Sequence, residues 1–192
     1  MISETEWGVL LDRAPPQESW LFIKFNSNIY FMNSPEIKIR NATKDDYKIV
    51  NSLYYQTYSL YHKELPKSYK KTPRTVLSLD SFIELLKDEN LLFIVVENKK
   101  KVLGFLHADI ETYKSDEIVR GYRRVFVYEL SVLDKYQNQG IGSLLLKEAE
   151  KWAKERNISD LSVLAYAFSK NAVSFYEKNG FTQYSIQLDK KI

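Results

Sequence analysis

Cysteine is absent from the 192 residues. That removes disulfides, a thiolate nucleophile and cysteine-ligated zinc together. Histidine is scarce, with only His62 and His107, so no metal site is expected. An excess of charge of one sign is missing too: 28 basic residues against 25 acidic ones leave a net charge of +3. That is too little to call for a nucleic-acid partner. No apolar run reaches the roughly 20 residues that span a bilayer, so no membrane partner is expected. The first residues show no basic stretch leading into an apolar core. A secretory signal is therefore not expected, and the cytoplasm is the expected compartment. Repeats, linkers and low-complexity tracts are lacking as well.

What is present reads as an ordinary globular chain, 44% hydrophobic and 28% charged. Its length suits one domain with a proper core. Fourteen tyrosines and ten phenylalanines are many for this length. Most are expected in the core and on half-buried strands, with others free to line a pocket.

The most informative stretch runs from Tyr128 to Lys154. It begins as a strand, where Val125, Phe126, Val127, Tyr128, Leu130 and Val132 are types that a pleated surface favours. It ends as a helix, with Ile141, Leu144, Leu145, Ala149, Trp152 and Ala153 returning to one face. Between them lies Gln137-Asn138-Gln139-Gly140-Ile141-Gly142-Ser143. Two glycines permit a tight turn and remove the Cβ atoms that would hold a ligand away. The first N–H groups of a helix lack internal partners, and the dipole adds positive charge there, so this loop can cradle a pyrophosphate. It is neither GxxxxGK[ST] nor GxGxxG on a first strand, which argues against a P-loop NTPase and a Rossmann unit. By itself, GxG before a helix is equally a tight strand-to-helix turn.

The surroundings narrow the reading. Gln137-x-x-Gly140-x-Gly142, after Glu129-Leu130-Ser131-Val132 and before a long amphipathic helix, resembles the Q/R-x-x-G-x-G/A signature of the GNAT superfamily of N-acetyltransferases. Further on, Ala172-Val173-Ser174-Phe175-Tyr176-Glu177-Lys178-Asn179-Gly180-Phe181 resembles that family's A-x-x-F-Y-x-x-x-G-F helix end. The likeness covers Glu36 to the C-terminus. It implies an α/β fold: a mixed, mostly antiparallel sheet flanked by helices, with a β-α-β crossover that binds CoA.

Residues 1–35 lie outside the resemblance. Trp20 to Phe25 and Ile29 to Phe31 are expected to pair as a hairpin across Asn26-Ser27-Asn28, covering a sheet edge. The competing expectation is a natural start at Met32. Residues 36–192 are expected to form the acetyltransferase domain. Ile37 to Arg40 reads as a half-buried strand, and Thr43 with Asp46 as a capping box for a helix toward Tyr61. His62 to Pro73 is a lysine-rich loop, which in the resembled family lies over the acceptor site. Ser81 with Glu84 reads as the cap of a helix to Asp88. Strands are expected at Leu91–Val96, Val102–Tyr113, Leu161–Tyr166 and Phe181–Leu188, with a helix from Ser169 to Lys178 and a left-handed cap at Asn157.

The resemblance implies acetyl-CoA as co-substrate, with no metal. Its pyrophosphate cradle would be the Gln137, Asn138, Gln139, Gly140, Ile141, Gly142 and Ser143 loop, and Leu130, Ser131 and Val132 would run beside the pantetheine arm. Where the family commonly has an asparagine before Phe-Tyr, this chain has Ser169, with Asn171 close by but out of register. Glu129 is a carboxylate inside a central strand, where burial would raise its pKa and suit a general base. An ion pair with Arg123 or Arg124 is the structural alternative. Tyr176 matches a tyrosine that lies near the CoA sulfur in many relatives, as an acid or as a packed aromatic. His107 is expected to be structural.

The expected function is transfer of an acetyl group to a primary amine of a small molecule or a peptide N-terminus. A catalytically inactive acyl-CoA sensor is the alternative, and an RNA-associated domain using loop lysines ranks behind both. Assembly as a homodimer stays open.

Overall fold

The computed structural model describes residues 23–25, 28–30 and 37–190. The chain divides into two compact units, Met1–Glu36 and Ile37–Ile192. In the first, strand β1 (Ile23–Phe25) pairs antiparallel with β2 (Asn28–Tyr30). Asn28, expected in the turn, lies opposite Phe25 and belongs to the second strand. The remainder of that expectation (Trp20 to Phe22, Phe31, the covered edge and the start at Met32) lies outside the described residues.

The second unit begins with β3 (Ile37–Asn41), where the apolar and charged alternation does form a half-buried strand. Arg40 ties this strand to the turn beyond it. Its guanidinium donates to both oxygens of Asp46, at 2.7 and 2.9 Å, and to Glu97 at 2.9 Å. Burial opposes the charge on Asp46, but Arg40 and the Thr43 N–H prevail and hold its carboxyl below the usual range. The expected Thr43–Asp46 capping box is therefore built into an ion-paired corner. Helix α1 (Tyr47–Glu64) comes next, then α2 (Leu79–Leu85). The cap of α2 is Ser78, whose side chain accepts from the Ser81 N–H at 3.0 Å, rather than the expected Ser81. The helix starts earlier because Leu79 and Asp80 are already inside its first turn.

Strand β4 (Leu91–Asn98) and β5 (Lys101–Tyr113) form a hairpin whose turn residues, Lys99 and Lys100, both adopt left-handed φ of 47° and 67°. That twist matches a right-handed hairpin. Strand β6 (Tyr122–Val132) continues antiparallel to β5. Helix α3 (Ile141–Glu155) then crosses to β7 (Leu161–Val163), which pairs parallel with β6. Helix α4 (Lys170–Lys178) completes the set. The sheet order β3-β4-β5-β6-β7, antiparallel except at β6/β7, is the α/β architecture that the resemblance implied.

Each sheet face has its own core. Leu145, Leu146, Ala149 and Trp152 of α3 pack against one face with Val125 and Val127. Val50, Leu53 and Tyr54 of α1 pack with Phe82, Phe93 and Phe105 on the other. Leu146 takes the buried place expected for Leu144, which is half-buried. Asn157 adopts φ 56° just past α3, and Ile158 N–H bonds back to Ala153 O at 3.0 Å, a left-handed helix stop.

Two expected strands differ. β7 ends at Val163, and residues 164–166 leave the sheet. Phe181 packs on the core, but residues 182–190 form no strand, and Tyr184, Ile186 and Leu188 are exposed. Alternation marks a strand only where a neighbour supplies a hydrogen-bond ladder, and none of the described residues supplies one here. Among the described residues, no helix is long and apolar enough to cross a membrane.

Candidate active site

The parallel pairing of β6 with β7 stops at Val127 opposite Val163. Beyond that pair the chains part, and a cavity of about 530 Å³ opens between them. Glu129, Leu130, Ser131 and Val132 form one wall, and Leu164, Ala165 and Tyr166 the other. The early end of β7 thus has a consequence: the residues expected to extend it line a cavity instead. Backbone groups of β6 point alternately toward β5 and toward this space, which β7 no longer covers beyond Val127.

The floor is the start of α3. Gly140 caps the helix with φ 82°, a left-handed conformation that favours glycine. Leu144 N–H is the first in the helix to bond back, to Gly140 O at 3.1 Å. The N–H groups of Ile141, Gly142 and Ser143 therefore have no partner within the helix, and the dipole adds positive charge there. Asn138, Ile141 and Gly142 line the cavity, whereas Gln139, Gly140 and Ser143 shape the turn without lining it. Gln137 lines it too, but its side-chain amide donates to Val132 O at 3.0 Å and to Asp134 at 3.1 Å. Its role is to brace the turn. Gln139 is likewise tied to Lys135 O at 3.1 Å.

At Gly142 the structure adds a packing reason for glycine. A Cβ there would meet Phe175 Cζ at 2.9 Å and Leu130 Cδ2 at 3.5 Å. The missing side chain makes room for the Phe175 ring, which fixes α4 against the start of α3. Ser169 and Asn171 reach the same cavity from α4. Ser169 stands at the N-cap position of that helix, yet its side chain makes no capping hydrogen bond.

Glu129 is 8% exposed, the most enclosed carboxylate of the cavity. Thr57 Oγ1 donates to its Oε1 at 2.9 Å. The alternative ion pair does not form: Arg124 bonds Glu111 at 2.7 Å, and no cation among the described residues pairs with Glu129. Burial pushes its carboxyl up to about 7, with the Thr57 hydrogen bond pulling weakly the other way. A bulge places it there. His107 faces Glu129, but Ala108 faces Val127, so Tyr128 is the extra residue. Tyr128 stacks on His107, with ring centroids 5.5 Å apart. His107 also stacks on Phe93, at 5.1 Å, and burial lowers its pKa to about 4, so the ring is neutral packing at neutral pH.

A helix start with unpaired N–H groups, a parted strand pair and a buried carboxylate thus share one cavity. The model of the acetyltransferase (GNAT) family matches residues 54–181. The chain belongs to the GNAT acetyltransferase family. An uncharacterised N-acetyltransferase of Methanocaldococcus jannaschii is 29% identical over 148 residues, 76% of this chain and 60% of that protein. The chain thus spans less than two thirds of that relative's length. Among solved GNAT-like folds, a mutant Bacillus halodurans protein superposes with a TM-score of 0.77 at 19% identity, covering 81% of this chain and 99% of that one. An aminoglycoside N-acetyltransferase in complex with CoA superposes with a TM-score of 0.62 at 15% identity, covering 81% of this chain and 94% of that one.

Two residues of this GNAT site escaped the sequence reading. Gln56 and Thr57 sit on α1, where Gln56 donates to Val132 O at 3.2 Å and Thr57 holds Glu129. The available signal was a polar pair within an apolar helix face. Tyr176 also lines the cavity, and burial, with the Glu129 charge adding to it, raises its phenol well above the ordinary range. A phenol held this firmly protonated gives up its proton to a thiolate less readily than a free one, while its O–H remains a donor.

Proposed function

We propose that this protein is an acetyl-CoA-dependent N-acetyltransferase acting on a primary amine. The observation that carries the proposal is the buried, cation-free carboxylate of Glu129 opening into the cavity that the start of α3 floors. Acetyl-CoA would supply an acetyl group already activated as a thioester. The N–H groups of Ile141, Gly142 and Ser143 would hold its pyrophosphate, since they are unpaired donors at the positive end of a helix. The backbone edge of Leu130 to Val132 that β7 does not cover would run along its pantetheine arm.

At neutral pH an alkyl amine arrives as an ammonium, with a pKa of about 10.4. It must lose a proton before nitrogen can attack. Glu129, near 7 in its enclosed setting, is a carboxylate that can take that proton without binding it irreversibly. The C–N bond then forms as the C–S bond breaks. Of the three ammonium hydrogens, one stays on the amide, one ends on sulfur and one leaves to solvent. Tyr176 keeps its proton and offers a hydrogen bond to the negative charge that gathers on the departing sulfur. Thr57 orients the Glu129 carboxylate.

The test is to mix the protein with acetyl-CoA and a primary amine and to measure free thiol and acetylated amine together. Equal amounts of the two, rising with time, are expected. Acetyl-CoA binding with no thiol release would make the protein a sensor instead.

A further inference from the structure

Part of the cavity is walled by aromatic rings. Tyr61 comes from the last turn of α1 and Tyr166 from the segment beyond β7, and their centroids are 5.2 Å apart at 75°. Tyr69, on the loop after α1, contacts both, at 5.2 Å from Tyr61 and 6.2 Å from Tyr166. Its hydroxyl lies 2.6 Å from that of Tyr166. Phe168 stacks on Tyr166 at 5.5 Å and 12°. The loop itself is tied to α1, because the His62 ring Nδ1–H donates to Tyr69 O at 2.9 Å. These rings brace one another, so little freedom is lost when a ligand lies against them.

The charge around them is one-sided. Glu129 and Asp134 line the cavity, and among the described residues no lysine, arginine or histidine does. Tyr61 and Tyr166 line the same cavity as Glu129, and burial first, with the Glu129 charge adding to it, holds the Tyr61 phenol protonated. Lys67 and Lys70 of the loop are exposed to solvent and outside the lining, where salt screens them.

An acceptor with a carboxylate or phosphate would meet no cation here and would face Glu129 in a poorly solvated space. A positive group would meet a carboxylate and the negative faces of tyrosine rings. We infer that the acceptor is an alkyl amine carrying a second positive charge, which lies against the Tyr61 and Tyr166 rings while the first nitrogen reacts beside Glu129. This rests on the amine-acetylating reading above and narrows it to one class of amine.

Three amines of one chain length separate the contributions: butane-1,4-diamine, butylamine and 4-aminobutanoate have far ends that are positive, neutral and negative. At saturating acetyl-CoA, the diamine is expected to exceed butylamine in kcat/KM by about 3- to 30-fold, the range of a cation on an aromatic face. It should exceed 4-aminobutanoate by a larger factor. In Tyr166→Leu the advantage over butylamine should vanish through KM, and Tyr166→Phe should restore it. Equal or better use of 4-aminobutanoate, or of butylamine, overturns the inference in the wild type alone. So does an unchanged ratio in Tyr166→Leu. If acetyl-CoA binds but none of the three is acetylated, the acceptor class is wrong while the acetyl-CoA site stands. If acetyl-CoA does not bind, the underlying reading falls with it.

Discussion

Glu129→Gln is expected to lower kcat/KM by about 10²- to 10⁴-fold, the usual contribution of a positioned base, and to raise the melting temperature at pH 8. Glutamine keeps the shape, and the Thr57 hydroxyl can still donate to its carbonyl oxygen, so little packing changes. It cannot take a proton. The stability effect comes from linkage. The Glu129 carboxyl titrates near 7 when folded, against an ordinary 4.5, because burial penalises its charge. Its contribution is complete below the unfolded pKa and is lost as pH rises through 7. The gap between 4.5 and about 7 corresponds to on the order of 3 kcal/mol lost at pH 8. A neutral glutamine escapes most of that loss. Activity down and stability up is the opposite of what removing a merely structural residue does. Thermal denaturation and steady-state rates at pH 8 check both halves, and a variant less stable than the wild type would refute the burial argument.

Gly142→Asp is expected to weaken acetyl-CoA binding by about 10- to 100-fold, the worth of hydrogen bonds to a charged group. Two effects combine. An aspartate in the first turn of α3 brings its own negative charge to the N–H groups proposed to hold the pyrophosphate. Its Cβ also meets Phe175 Cζ at 2.9 Å, so the ring must move. Pairing the change with Phe175→Ala removes the clash and leaves the charge. Gly142→Asp/Phe175→Ala should still bind weakly, whereas Gly142→Ala/Phe175→Ala should recover most of its affinity. Calorimetric titration distinguishes them. Equal affinity in the two double variants, with both folded, would place the pyrophosphate elsewhere.

The sequence announced the parts whose cause is local. Gly140 before an amphipathic helix predicts a cradle because helix ends leave N–H groups unpaired whatever the rest of the fold does. Glu129 stood out because a carboxylate in a central strand is costly unless it has work or a partner. What stayed hidden depends on distant pairs. Thr57 and Glu129 meet across 72 positions, and Tyr69 and Tyr166 across 97, so neither contact leaves a local pattern. The Tyr128 bulge is a property of two strands in register and cannot be read from either alone. Gly142 was legible as a glycine that something approaches closely, but that the Phe175 ring is one such neighbour depends on a contact between distant residues. The expected closing strand failed for the same reason: Tyr184, Ile186 and Leu188 alternate correctly, yet alternation carries no information about whether a neighbour is present.

The central claim is that the amine loses its proton to Glu129 in the space where β6 and β7 part. The most direct test is the pH dependence of kcat/KM, measured from pH 5 to 9 with saturating acetyl-CoA and an alkyl amine. The enzyme needs Glu129 as the carboxylate, so the wild-type rate should rise with pH to a midpoint near 7 and then level off, as burial of that carboxyl dictates. The Glu129→Gln profile should lack that rise. A wild-type rate that climbs steadily toward the pKa of the free amine, about 10.4, with the same slope in the variant would contradict the account.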